Sequence, residues 1–403
     1  MEVLRRLWIE QPMRFFLWLA IVQVGVRWTF HLGIRPAISY AEDLDIALHL
    51  VKGEGFSIYD RGPTTAKGPI YPLFLSLFLM LGFSPADLWP VPLVQHFFLA
   101  WVPLFLFRLG KALGLGEAAK VAALLFAAHP SFLYYPTVLE NTSLYIFLVL
   151  LWALAMVKLR EQFSWGRVIG VGVGLGLTWI EKPVAFFPMM AAVFLLLPWR
   201  ERGIVLAVAF LPVLFWAFRG YRTFGYFTWT KTYASQHGFA LSWHPKLAVY
   251  PRYAVSEITA HQMDSLFVLP EQIGGPALAS LGRKIAKEKG FWCLVERTLL
   301  HAAIFWWIPP RYWGDTSLKV WIGRRLPVIV INALFLLGLF WGWKYHRAFT
   351  LYVLLTSLFC TFFYALNHVL NARYRMDVEW LQLYVCAFAI LWMRRVNPLS
   401  FVG

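Results

Sequence analysis

Long apolar runs separated by short basic connections are the feature that most narrows what this chain can fold into. A helix crossing the hydrocarbon of a bilayer needs about 17–25 mostly apolar residues. Within that layer its own backbone must satisfy every N–H and C=O. Runs of this kind are predicted near 14–32, 88–109, 118–138, 141–158, 166–181, 183–198, 203–219, 326–344, 348–366 and 377–393. The expected fold is an all-α polytopic membrane protein, a single integral-membrane domain over 1–403 with about ten transmembrane helices. Of its residues 60% are hydrophobic and 14% charged, which excludes an ordinary water-soluble globule.

Charge then sets an orientation. The net charge of +16 would suggest nucleic acid for a soluble protein. In a membrane protein, basic cytoplasmic connections and anionic headgroups account for it, and no nucleic-acid partner is expected. Arg5, Arg6 and Arg14 precede the first run. Arg108, Lys111 and Lys120, then Lys158, Arg160 and Arg167, then Arg200 and Arg202 fall on the same side under this count, as do Lys344, Arg347, Arg394 and Arg395. That side is predicted to be cytoplasmic, with both termini on it. The opening "MEVLRRLWIEQPMRFFLWLAIVQVGV" lacks a small-residue cleavage site and reads as an uncleaved first span. Cys293, Cys360 and Cys386 are far apart and form neither a disulfide framework nor a zinc spacing.

Two polar segments remain on the opposite face, 33–87 and 220–325, far longer than ordinary connections. Inside the second, "EKGFWCLVERTLLHAAIFWWIPP" is apolar yet carries Glu296, Arg297 and His301, and is expected to be an interfacial or re-entrant helix. The first contains "SYAEDLDIALHLVKGEGF", with Glu42, Asp43 and Asp45 close together. Ser39 and Glu42 match a capping box, and acids suit a helix N-terminus, so capping alone is a sufficient account. Helical spacing puts Glu42, Asp45 and His49 on one stripe, with Asp43 towards the apolar edge. Asp43-Leu44-Asp45 also matches a metal-holding DxD string, but positions two apart do not share a helix face. Lys67, at the edge of "GPIYPLFLSLFLMLGF", is either a snorkelling lysine or a cation for an anionic group.

These residues resemble a known family. "AEDLDIALHLVKGEGFS" followed by "GPTTAKGPIYPLFLSLFLMLGF" is similar to the first outer loop of multi-span glycosyltransferases with the GT-C fold. The likeness is strongest to bacterial members related to protein O-mannosyltransferases and the lipid A aminoarabinose transferase. It continues through "HPSFLYYPTVLENTSLYIFLVLL", "GLGLTWIEKPVAFFP", "FWAFRGYRTFGYFTWTKTYASQHGFALSWHP" and "ALNHVLNARYRMDVEWLQLYV". Departures are Glu42-Asp43 in place of Asp-Glu, Gly220 for Asn, His244 at an Asn position, and Asp377 where Pro is common.

The resemblance implies a polyprenyl-phosphate sugar as donor, a glycolipid, glycan or protein hydroxyl as acceptor, inversion at the anomeric carbon, and a bacterial inner membrane with the active face periplasmic. Such a reaction needs a carboxylate base, cations for the leaving phosphate and an apolar groove. Glu42 is the candidate base, with Asp43 as rival and Asp45 as helper. Lys67, Lys182, Arg219, Arg373 and Arg375, with Tyr71 and Tyr374, are the candidate phosphate ligands. Lys182 is equally read as the partner of adjacent Glu181, and the arginines as headgroup anchors. Glu140, His237, His244, His261 and Glu257 are candidates for the acceptor site. No cofactor or catalytic metal is expected, with a divalent cation across Glu42 and Asp43 left open. Three other classes compete: a lipid transporter or flippase, a non-catalytic lipid-binding relative, and a glycan ligase or polymerase. A transporter predicts charges at mid-span and paired inverted halves.

Overall fold

The computed structural model describes residues 2–34, 42–230, 232–246, 248, 251–307, 325–367 and 372–396. Among them all the repeating secondary structure is helical, with one isolated antiparallel bridge, Ser57 to Pro63. The helices are α1 (Glu2–Glu10), α2 (Pro12–Ile34), α3 (Glu42–Val51), α4 (Ile70–Met80), α5 (Pro90–Ala112), α6 (Glu117–Ala128), α7 (Pro130–Tyr134), α8 (Thr142–Glu161) and α9 (Trp165–Glu181). Then follow α10 (Pro183–Leu196), α11 (Trp199–Phe224), α12 (Thr232–Leu241), α13 (Glu257–Phe267), α14 (Glu271–Lys289), α15 (Phe291–Trp307), α16 (Leu326–Tyr345), α17 (Arg347–Asn367) and α18 (Ala372–Val396).

Seven of the described helices, α2, α5, α8, α11, α16, α17 and α18, are long and apolar enough to cross a membrane. The sequence predicts about ten, and three of its runs take a different form. The run 118–138 is not one helix. His129 is extended ahead of Pro130, as the residue before a proline tends to be, and its Nδ1 accepts from the Ser131 N–H to start α7. The run 183–198 becomes α10, 14 residues, and 166–181 becomes α9, 17 residues. At about 1.5 Å per residue α10 falls short of a hydrocarbon layer of about 30 Å when upright, while α9 stands at the short end of the crossing range. Inside the first polar segment lies an apolar helix, α4, whose Leu73, Leu77 and Met80 are exposed.

α18 runs through the middle of the bundle. Leu383, Tyr384, Val385, Cys386 and Ala387 are fully buried, and the helix packs on α16, α6, α17 and α8. α2 lies at the edge, held by Arg27 Nη1 to the Phe132 carbonyl at 2.6 Å and Trp28 Nε1 to the Leu93 carbonyl at 3.0 Å. A close backbone approach joins α9 and α11. Gly172 and Gly176 are one turn apart, and a Cβ on Gly176 would lie 2.1 Å from the Ala209 carbonyl oxygen. This is the small-xxx-small device by which helices in lipid come together without a hydrophobic drive.

Two ends of the bundle differ in chemistry. The starts of α8, α10 and α18, the end of α9 and residues 56–71 meet at one end, joined by Asn141–Glu181, Ile70–Glu181 and Lys182–Asp377 contacts. The connections α5–α6, α8–α9, α10–α11 and α16–α17, with Lys111, Lys158, Arg160, Arg200, Arg202 and Lys344, lie at the other. The lobe at the first end comprises α3, α4 and the 52–69 segment, with α12–α14. α15, expected to be interfacial or re-entrant, packs on α17; Arg297 donates to Ser242 Oγ and to the Leu366 carbonyl.

Gly176→Leu should separate α9 from α11 and lower stability by about 1–3 kcal/mol. Gly170→Leu, on the same helix but facing open space, with nothing within 4 Å of where a Cβ would stand, should change little. Thermal unfolding in a fixed detergent, compared between the two variants, checks this.

Candidate functional site

α3 presents the acids. Glu42, Asp43 and Asp45 occupy its first turn, where they complement the helix dipole. The predicted cap Ser39 lies outside the described residues. The helix closes at Gly53, φ 78°, with the Glu54 N–H returning to the His49 carbonyl. Leu44 and Ala47 pack against Tyr71, Leu75 and Leu79 of α4, which turns Asp43 and Asp45 inward, with 5% and 6% exposure. The Glu42 side chain is 39% exposed.

Glu42 and Asp43 converge on one cation. Lys67 Nζ lies 2.8 Å from Glu42 Oε2 and 3.4 Å from Asp43 Oδ2. This ammonium is shared by the two carboxylates. Asp45 diverges: its carboxylate accepts from the Tyr59 N–H and faces His49 Nε2 at 3.6 Å, while His49 Nδ1 meets Glu54 at 2.5 Å. Asp43 and Asp45 therefore serve different partners, as two positions two apart on a helix must. Among the described residues no group of three His, Cys, Asp or Glu side chains is arranged to hold a metal.

The chain after Lys67 is fixed closely. Gly68 lies against α9, where a Cβ would fall 2.6 Å from the Glu181 Cα, and the Ile70 N–H donates to Glu181 Oε2 at 3.0 Å. Tyr71 is fully buried and donates to Gln95 Oε1 at 2.8 Å; Gln95 Nε2 in turn donates to the Pro136 and Val138 carbonyls. Tyr71 is thus occupied in bracing α4 on α5. Glu140 is half-buried just before α8.

The other candidates divide by location. Lys182 does not pair with adjacent Glu181. It stands at the break between α9 and α10, so its side chain leaves the face that Glu181 uses and reaches Asp377 Oδ1 at 2.5 Å, over the Tyr145 ring at 4.2 Å. Asp377 also accepts from Tyr364 Oη at 2.6 Å, and Tyr374 stacks on Tyr364 at 4.5 Å. Arg375 is buried and turned into the bundle, 2.6 Å from Glu379 and donating to the Trp306 carbonyl. Arg219 donates to the Phe56 and Thr64 carbonyls at 3.1 and 3.2 Å and stacks on Phe56 and Trp216. The Arg373 side chain lies outside the described residues. His244 is buried, with Nδ1 accepting from the Lys246 N–H and Nε2 3.4 Å from Asp264. Glu257 and His261 are exposed on α13, Glu257 in its first turn after the Ser256 cap. Of the acceptor-site candidates, His237 shares a crevice with Glu42: about 20 Å³ between Glu42, Arg61, Thr64, His237, Phe267 and Glu271.

Two apolar cavities open beneath. One, of about 300 Å³, is bounded by Ile70, Tyr71, Asn141 and Glu181 at the lobe end and reaches Ala155 and Gly170. The other, of about 390 Å³, runs from Asp377 to Arg160, between α8, α10, α17 and α18. Tyr145, Val149, Trp152 and Met189 line both.

Two site-building residues escape a sequence reading. Glu271, in "LPEQIGG", looks like an ordinary acid opening a helix. Its carboxylate instead accepts from Thr64 Oγ1 at 2.7 Å, from the Thr65 N–H at 2.6 Å and from Thr65 Oγ1. Glu181 was legible only as a neighbour of Lys182. A scan of the chain against protein-family models finds no match, and neither does a search of curated proteins.

Breaking one side of the Lys182–Asp377 pair leaves a buried charge unmatched, so Asp377→Ala should cost about 3–5 kcal/mol. The double variant Lys182→Met/Asp377→Leu should recover most of that, read from denaturation midpoints. Burial pushes the His237 imidazole down to about 4. The unfolded chain takes up that proton near its ordinary value of about 6.5. Stability is therefore full above this window and falls as pH drops from about 6.5 to about 4. His237→Gln should flatten that part of the melting-temperature profile measured from neutral to acid pH.

Proposed function

We propose that the chain is a membrane glycosyltransferase that moves a sugar from a polyprenyl-phosphate donor to an acceptor hydroxyl. The observation that carries this reading is the convergence of Glu42 and Asp43 on Lys67, just ahead of the residues Ile70 and Tyr71 that bound an apolar cavity of about 300 Å³. An acid–base group, a cation for phosphate and a slot for a hydrocarbon tail are thereby adjoining. The resemblance to GT-C glycosyltransferases in the same stretch supports it.

In this mechanism the donor phosphate takes Glu42's place beside Lys67, which frees the more exposed carboxylate to act as base. Asp43, almost buried, keeps the ammonium in position. The acceptor oxygen forms a bond to the anomeric carbon while its proton passes to Glu42. The bond from that carbon to the phosphate oxygen breaks with inversion, and Lys67 offsets the charge gained by the leaving lipid phosphate. The isoprenoid nearest the phosphate lies in the cavity below. No metal has a step in this scheme.

On this reading the far end of the bundle faces the cytoplasm and the lobe faces outward, in a bacterial inner membrane; the basic connections at the far end support that orientation. Lys182–Asp377 and Arg375–Glu379 sit near helix ends on the lobe side. That arrangement favours reaction at an interface over passage of a solute through mid-membrane.

The test is sugar transfer from radiolabelled polyprenyl-phosphate sugars in membranes carrying the protein. Glu42→Gln should lower turnover by about 10²–10⁴-fold while donor binding survives. Asp43→Asn should weaken donor binding through Lys67. Donor binding with no transfer to any membrane acceptor by the wild type would reject the enzyme reading in favour of a lipid-binding or lipid-moving protein.

A further inference from the structure

We infer that Glu271 is a positioning residue for Lys67, acting through the backbone of the first polar segment. The inference rests on the reading above, in which Lys67 faces the donor phosphate. Glu271 opens α14, far along the chain from Lys67, and is 6% exposed. Both of its oxygens are used: Oε2 accepts from Thr64 Oγ1 and the Thr65 N–H, and Oε1 from Thr65 Oγ1. Thr64 Oγ1 then accepts from the Ala66 N–H at 2.9 Å, so the fixed hydroxyl orients the peptide that leads into Lys67. From the other side Arg219 holds the Thr64 carbonyl.

Beyond Lys67 the same arrangement recurs. Glu181 takes the Ile70 N–H, and Gly68 is pressed on its backbone. Lys67 is therefore slung between two buried carboxylates on remote helices, α14 before it and α9 after it, while its own ammonium goes to Glu42 and Asp43. A lysine has a long, flexible stem, so anchoring the backbone at both sides is what fixes where its charge stands. A buried acid is costly unless its oxygens are satisfied, and here three donors from two adjacent threonines satisfy it. The contacts by which Glu271 holds the segment run to Thr64 and Thr65, which makes its role one of position.

The experiment reads Lys67 directly. Purified full-length protein is labelled with limiting acetic anhydride at pH 8, and Lys67 acetylation is measured by mass spectrometry against exposed Lys344. An amine tied to two carboxylates and only 20% exposed meets the reagent poorly, and releasing it from that setting frees it to react. Glu271→Ala should then raise Lys67 labelling about tenfold relative to Lys344, the factor expected for loss of one charge-assisted hydrogen bond. Glu271→Gln, whose amide oxygen still accepts, should stay near the wild type. Thr64→Val, which cuts the same link from the loop side, should raise labelling as Glu271→Ala does, and serves where that variant yields no folded protein. Unchanged Lys67 labelling in folded Glu271→Ala or Thr64→Val overturns the inference, as does equal labelling of Glu271→Ala and Glu271→Gln. Sugar transfer is assayed on the same preparations. If the wild type transfers nothing, the functional reading fails, whereas the labelling still decides whether Glu271 sets Lys67.

Discussion

Glu181 and Lys182 stand side by side where α9 ends, and the break between α9 and α10 sends their charges in different directions. Glu181 faces the lobe and takes the Ile70 N–H and the Asn141 amide. Lys182 faces the bundle and meets Asp377 of the central helix. One peptide bond thus ties the lobe, α8 and α18 together. In a medium that offers few polar partners, each of these charges must find its complement within the protein. The position of α4, the entrance to α8 and the seating of α18 all follow from how those two demands are met.

From that junction the candidate site inherits its rigidity. The segment from Phe56 to Ile70 has almost no regular structure, yet its backbone is held by Arg219, Glu271 and Glu181, each from a different helix. Asp45 adds a fourth hold through the Tyr59 N–H, and Tyr59 is the one described non-glycine residue with positive φ, 46°. An irregular loop fixed this way can present a charged side chain as reproducibly as a helix does. The acids come from α3 and the cation from the loop, so their meeting depends on both the helix packing and the backbone anchors.

Much of this was legible in the residues. Apolar runs gave most of the helices, because the requirement for internally satisfied backbone leaves few alternatives in lipid. They failed at 118–138, where His129-Pro130 interrupts a run that hydropathy reads as continuous, and at α4, whose 11 residues are apolar but too few to register as a span. Glu42 and Lys67 stood out in the sequence as an acid and a cation of one segment, but helical spacing set Asp43 towards the apolar edge and did not foresee its sharing Lys67 with Glu42. Nor was the fate of Asp45 and Lys182 legible. Each has a plausible neighbour in sequence, and each was claimed by a more distant group, Tyr59 and Asp377, once the chain had folded. Glu271 was hidden for the same reason: a helix-opening acid looks alike whether it caps its own helix or grips a loop two hundred residues away.

The two cavities flank α8 and share Tyr145, Val149, Trp152 and Met189 as a common wall. That wall is one side chain thick, and Trp152 is pinned in it by Nε1 donating to the Val171 carbonyl at 2.8 Å. Close-packed side chains transmit displacement rather than absorb it. A guest that displaces this wall reshapes both cavities at once, and by that route the occupancy of one can bear on the other. Such a linkage is reciprocal: the free energy by which a guest in the first alters the affinity of the second is the same in both directions.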